Sequence, residues 1–215
     1  MKLYYVVGSP NCRKVHAVAR HLGIDLDLEY LDFFRGDLRQ PAYLARNPNG
    51  MVPTLVDGDL DLWESNAIIQ YLAEGAGETA LYPRAPKVRA DVARWLAWEL
   101  AHYNKAFGIL AFETVAKPNF MHQAPDAALV AWTQGELQRH APVLEAALAN
   151  RRTLVGDGLT IADYAVGHLA DYRDLVPFDW SPYPAVVAYY DRMLANPHWV
   201  ATAPPSPRAV GRIPA

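Results

Sequence analysis

The chain has 215 residues, 52% hydrophobic and 20% charged, with a formal net charge of -3. A chain of this length buries about 70% of its unfolded surface, which is enough for one large or two small domains and excludes a disordered protein. The slightly acidic balance sets up no basic field for phosphates, so neither nucleic acid nor an anionic membrane is expected as a partner. No apolar run reaches membrane-spanning length, and the opening MKLYYVVGSPNC lacks the layout of a cleaved signal, so we expect a cytoplasmic protein without a membrane segment. The single cysteine, Cys12, excludes an internal disulfide framework and a zinc cluster, and leaves one thiol for redox chemistry.

Residues 2–7 are strand-like, and RKVHAVARHLGI places Val15, Val18, Ala19 and Leu22 at helical spacing before the stop at Gly23. DLDLEYLDFF alternates as a second strand, PAYLARN suits a short helix, and TLVDGDLDLW is a hairpin around Asp57-Gly58. A third helix follows over about 65–73. The order βαβαββα fits a small mixed sheet faced by helices. EGAGETALYPRAP then collects small residues and prolines as a linker, and four helical stretches follow. We therefore expect an α/β domain over 1–78, a linker over 79–86 and an all-helical C-terminal domain over 87–215. Pro142 should bend or interrupt the second of the C-terminal helices. Thr160 and Asp163 form a capping box, with Leu159 placed to staple onto Tyr164.

Between the first strand and the first helix stands SPNC, residues 9–12, a C-x-x-C redox site with serine at the attacking position. Ser9 caps the helix or donates a hydrogen bond to a sulfur brought by a ligand. Pro53, in NPNGMVPTL, cannot donate to a sheet ladder. A cis Val52–Pro53 bond would turn the Val52 backbone toward an extended peptide, and a trans proline at a strand start is the plain alternative. Glu64 and Ser65 stand at the start of the third helix, where unpaired N–H groups suit a carboxylate and Glu64 suits an ammonium. Ordinary capping by Ser65 is the alternative there. Together these features describe a peptide with a terminal amine, a carboxylate and a sulfur.

That peptide is glutathione, and YYVVGSPNCRKV, NPNGMVPTLVDGDLDLWESNAIIQYLA and LVGDGLTIADY resemble the cytosolic glutathione transferases. The likeness is greatest to the phi class, with looser likeness to delta and theta. It implies a thioredoxin-like first domain, an all-helical second domain, a homodimer and glutathione as cosubstrate. It assigns the catalytic hydroxyl to Ser9, and glutathione contacts to Arg39, Val52, Pro53, Glu64 and Ser65. The helix bearing Trp95 and Trp98 is aromatic enough to be core or subunit interface. In the family its C-terminal part faces the sulfur, so Phe33, His102, Tyr103 and Phe107 are candidates for the electrophile pocket. Activity on small hydrophobic electrophiles, as in detoxification, is implied.

The sequence departs from the phi pattern at two places. Leu38 and Arg39 stand where histidine and lysine hold the glycine carboxylate, and only Arg39 can replace them. Met51 stands where glutamine is common. Ser9, Pro10 and Asn11 also resemble the nu class, which makes Asn11 a second donor to the sulfur. Three readings follow: a transferase; a glutathione-dependent disulfide or peroxide reductase using Ser9 and Asn11, with the Cys12 thiol as a further candidate; and a non-catalytic glutathione-binding module, suggested by Leu38 and Met51. DGDLD departs from a calcium loop at its sixth and twelfth positions, the histidines lack ligand spacing, and no metal is expected. Glu136 and His140 are one turn apart, as in an exposed pair.

Overall fold

Leu3 and Tyr5, alternate residues of the first strand, are buried, and the sheet grows outward from that strand. The structure, a computed structural model, describes residues 1–204 and 211. β1 (Lys2–Tyr5) pairs in parallel with β2 (Asp27–Tyr30) and antiparallel with β3 (Thr54–Asp57), which closes a hairpin with β4 (Leu60–Trp63). The sheet order is β2-β1-β3-β4. Gly58, at φ 61°, makes the hairpin turn that Asp-Gly signals. α1 (Pro10–His21), the one-turn α2 (Pro41–Leu44) and α3 (Ser65–Gly75) complete the thioredoxin-like βαβαββα order. The buried Lys14 ammonium, on α1, reaches Asn66 Oδ1 on α3 at 2.7 Å.

Both early strands are shorter than their apolar patterns. Val6 and Val7 stay buried, but the Ser9 N–H closes a turn on the Val6 carbonyl at 3.1 Å and takes the chain off the ladder. After β2 the Asp32 carboxylate accepts the N–H groups of Phe34 and Arg35 at 2.8 and 3.0 Å, which ends the extended run.

The chain divides into two compact units, and the division differs from the expected one. One unit spans Met1–Tyr82 and takes back the chain from Asn196 onward; the other is Pro83–Ala195. The C-terminal end therefore leaves the helical domain to which 87–215 assigned it. The reason is packing: α9 (Pro197–Val200) buries Trp199 under the Arg13 guanidinium, 4.2 Å from the ring centroid, and Arg13 Nη2 donates to the Trp199 carbonyl at 3.2 Å.

In the helical unit, α4 (Pro86–Trp98) runs through a π-helical turn, Glu99–Tyr103, into α5 (Asn104–Ala111) and a second π-helical stretch, Phe112–Met121. The fully buried Glu99 carboxylate accepts from Asn104 Nδ2, which also donates to the Ala165 carbonyl at 3.0 Å. α6 (Ala127–Leu148), α7 (Ile161–Gly167) and α8 (Pro184–Leu194) follow. The capping box is present: Asp163 accepts the Thr160 N–H at 2.8 Å, and the Leu154 N–H at 2.9 Å besides. His140, expected in an exposed pair, is buried on the same α6 stripe as Leu137, Ala141 and Leu144, and its ring stacks on His102 at 5.1 Å. Among the described residues no helix is long and apolar enough to cross a membrane.

α6 runs unbroken through Pro142. The proline and Gln138, whose carbonyl loses its N–H partner, both lie on the exposed face, so the freed carbonyl is open to water while the buried stripe keeps the helix continuous. Proline in a helix interior costs about 3 kcal/mol, of which roughly 1 is returned by restricting the unfolded chain. Pro142→Ala should therefore raise the unfolding free energy in urea by about 1–2 kcal/mol. A loss of stability would show that the ring packs usefully.

Candidate functional site

Ser9 is extended (φ -67°, ψ 118°) and caps α1, with Pro10 supplying the first helical residue. Its oxygen accepts the Cys12 N–H at 3.4 Å. The bond uses a lone pair, so capping leaves the hydroxyl proton available for donation. The two readings of Ser9 are therefore compatible, and the hydroxyl sits at the positive end of the helix dipole.

Cys12 is fully buried. Burial pushes its thiol up to about 11, although the hydrogen bond with Ser9 and that with the Val6 backbone pull the other way. A buried thiol held protonated neither attacks nor forms a mixed disulfide, so the structure removes Cys12 from the reductase reading.

Asn11, Val52, Pro53, Glu64 and Ser65 line one cavity of about 230 Å³, with Asn47, Asn49 and Met51. That is below the roughly 300–1,000 Å³ of a drug-sized site and suits an amino-acid head group. The Val52–Pro53 peptide is cis. Ser65 does not cap α3. It is the first helical residue, Glu64 is the cap position, and Glu64 makes no side-chain capping bond. The Ser65 hydroxyl donates to Asn11 Oδ1 at 3.1 Å, tying the starts of α1 and α3. The N–H groups at the start of α3 thus lack a side-chain acceptor at the cap and remain suited to a carboxylate.

Glu64 is also held at φ 71°, ψ 109°, a sparsely populated conformation for a residue with a Cβ and of the kind found at ligand clamps. No local sequence signal marks it.

Arg39 is exposed and is not among the cavity's lining residues. It lies over Gly50 instead, so that a Cβ on Gly50 would stand 2.5 Å from Arg39 Nη1. Leu38 packs with Val6 and Tyr43, so its apolar side chain has a structural role. Met51 is 62% exposed, but its carbonyl accepts from Tyr43 Oη and from Asn47 Nδ2 at 2.8 Å. Asn47 Nδ2 also donates to Thr54 Oγ1 at 3.1 Å, and its Oδ1 accepts the Asn49 N–H at 3.1 Å. Sequence reasoning missed Tyr43 and Asn47; the signal was a pair of asparagines in a turn leading to a strand.

The aromatic candidates separate. Phe33 is 45% exposed and His102 is exposed. Tyr103 and Phe107 are fully buried: Tyr103 Oη bonds Tyr190 Oη at 2.8 Å, and Phe107 packs on Trp180 at 5.5 Å. These two belong to the core of the helical unit: Tyr103 and Phe107 are four residues apart and continue the buried stripe of Leu96 and Glu99. Their assignment to a pocket is withdrawn. Among the described residues no group of three or more His, Cys, Asp or Glu is placed to hold a metal.

The model of the glutathione S-transferase N-terminal domain matches residues 3–80, and that of the C-terminal domain matches residues 107–197. Glutathione S-transferase 3 of Zea mays is 34% identical over 218 residues, 96% of this chain and 97% of its own length. The chain belongs to the glutathione S-transferase family. It is a glutathione transferase with the family's thioredoxin-like and helical domains, and its plant relatives are of the phi class. Glutathione transferase F7 from Populus trichocarpa superposes with a TM-score of 0.86 at 28% identity, covering 94% of this chain and 96% of its own. A theta class transferase from Xanthomonas axonopodis pv. citri, solved with glutathione bound, has a TM-score of 0.83 at 31% identity, covering 95% and 97%.

Two outcomes check this transferase site. Glycine has no Cβ to strain at φ 71°, so Glu64→Gly should unfold with about 1 kcal/mol more stability than Glu64→Ala while both lose glutathione affinity; equal stabilities would remove the strain. The second concerns pH. The folded thiol of Cys12 is raised from the ordinary 9.0 to about 11, so above pH 9 the folded state keeps a proton that the unfolded chain has lost. The stability contribution is complete below the unfolded value and is lost as pH rises through the window to 11. Relative to Cys12→Ala, the wild-type unfolding free energy should fall by roughly 3 kcal/mol across it, at 1.36 kcal/mol per unit. A flat difference would mean an accessible thiol.

Proposed function

We propose that this transferase adds the thiolate of glutathione to small hydrophobic electrophiles, with the Ser9 hydroxyl donating to the sulfur. The observation that carries the reading is the convergence of Asn11, Val52, Pro53, Glu64 and Ser65, from three separated stretches of sequence, on one head-group-sized cavity. In this reading the γ-glutamyl carboxylate takes the uncapped start of α3, Glu64 takes the ammonium, and the Val52 backbone pairs with the cysteinyl residue. Arg39 serves the glycine carboxylate. The active form is a cytoplasmic homodimer.

The thiol of glutathione, near 8.5 when free, is only a few per cent ionised at pH 7. A hydroxyl donor and a helix N-terminus both favour the charged form, and a drop of two units corresponds to about 2.7 kcal/mol. Ser9 need not form a bond to carbon or sulfur. Its oxygen stays on the Cys12 N–H while its proton turns to the ligand. The Asn11 amide, whose oxygen is occupied by Ser65, has its two N–H donors left to support the same sulfur. That placement of Asn11 favours disulfide or peroxide reduction as a second reading, now without Cys12.

The test is the pH profile of kcat/KM in an aryl-halide conjugation assay. Ser9→Ala should move the rising inflection up by about one to two units and lower the rate at pH 6.5 ten- to a hundredfold. The substitution also removes a cap worth about 1 kcal/mol, so the Tm is followed in parallel. An unchanged profile in a folded variant sinks the Ser9 assignment. Reduction of a mixed glutathione disulfide that is abolished by Asn11→Ala, with no conjugation in wild type, would give the second reading precedence.

A further inference from the structure

We propose that Gly211, in the C-terminal segment and outside every motif of the family resemblance, is a positioning residue for Ser9. The proposal rests on the reading of Ser9 as the donor to the thiolate. β1 and β2 pair in parallel up to the bond from the Leu31 N–H to the Tyr5 carbonyl, 2.9 Å. One step further, continuation of the ladder would bond the Phe33 N–H to the Val7 carbonyl. Gly211 is inserted instead. Its N–H donates to the Val7 carbonyl at 2.8 Å, and its carbonyl accepts the Phe33 N–H at 2.8 Å. A single residue from the far end of the chain therefore bridges the two loops where the strands part.

Val7 stands two residues before Ser9 and is 3% exposed, so its carbonyl requires a partner inside the protein. On the other side, the Phe33 loop is folded on its own acidic side chains: Asp32 takes the N–H groups of Phe34 and Arg35, and Asp37 takes that of Asp32 at 2.8 Å. Gly211 joins this preformed loop to the turn that carries the hydroxyl. The position admits glycine for two independent reasons. Its φ is +77°, and a Cβ would stand 2.6 Å from Phe34 Cε2. The segment is fastened upstream as well, by Trp199 under Arg13 and by the Thr202 hydroxyl donating to the Trp199 carbonyl at 2.8 Å. A hydroxyl displaced by about 1 Å from its sulfur can cost about a hundredfold in rate, so a tie at Val7 bears directly on Ser9.

The experiment compares Gly211→Ala, the double variant Phe34→Ala/Gly211→Ala, a chain ended after residue 203, and Ser9→Ala. Each is assayed by the pH profile of kcat/KM and by amide hydrogen exchange at Phe33. Gly211→Ala and the shortened chain should raise the inflection by about half a unit to one unit, with the same sign as Ser9→Ala and a smaller size, and should speed exchange at Phe33. Removing the Phe34 ring makes room for the new methyl group but leaves the φ of +77° strained for alanine, so the double variant should recover part of the profile. If Gly211→Ala and the shortened chain lower the Tm but leave the profile where it was, while Ser9→Ala moves it, Gly211 is structural only and the Ser9 assignment stands. If Ser9→Ala is also silent, both assignments fall together.

Discussion

The Met51 carbonyl, on the loop that leads into β3, has two donors on it, Tyr43 Oη and Asn47 Nδ2, and the wall of the cavity depends on that arrangement. A loop that approaches a ligand through its backbone must satisfy its inward-facing groups from within the protein. Asn47 does so at both ends. Its amide nitrogen holds Met51 and Thr54, and its oxygen holds the Asn49 N–H. Val52 and Pro53 are presented between those anchors, and Gly50 lets the Arg39 side chain lie against the same loop.

Two helix starts meet at this cavity and are finished differently. α1 is capped by an oxygen that keeps its proton for other use, whereas α3 begins after a strained glutamate that makes no side-chain cap. One end is a hydrogen-bond donor mounted on a positive dipole, and the other is a helix start without a side-chain cap, beside a carboxylate. The Ser65 to Asn11 bond holds the two in register. The one thiol of the SPNC turn is buried, so the sulfur of a transferase reaction has to come from outside the chain.

Much of this was legible in the sequence because it is set by local rules. Strand and helix periods, the Asp-Gly hairpin and the Thr160–Asp163 box depend on residues close together along the chain, and the family patterns brought Val52, Pro53, Glu64 and Ser65 to one place. What was missed depends on distant partners. The ends of β1 and β2 are fixed by turns that override apolar propensity. Tyr103 and Phe107 are closed into the core by Tyr190 and Trp180, partners far along the chain. Pro142 was expected to break α6 on propensity alone, but its position on the solvent face makes it tolerable. The return of the C-terminal end to the first unit rests on a cation over a ring and on a glycine whose partners are roughly 180–200 positions away, beyond the reach of any window used to read periodicity.

That return makes the first unit discontinuous, with the helical unit inserted between Tyr82 and Asn196. During synthesis the helical unit, whose elements follow one another along the chain, is complete in sequence well before Trp199 and Gly211 emerge. The sheet by contrast lacks its last hydrogen-bond partners until Gly211 has been made. Domains generally fold as units in the order they appear, and long-range closures come late. Here the first unit is completed only after the helical unit has been made, and a chain released before Gly211 would carry a sheet whose Val7 carbonyl and Phe33 N–H lack that partner.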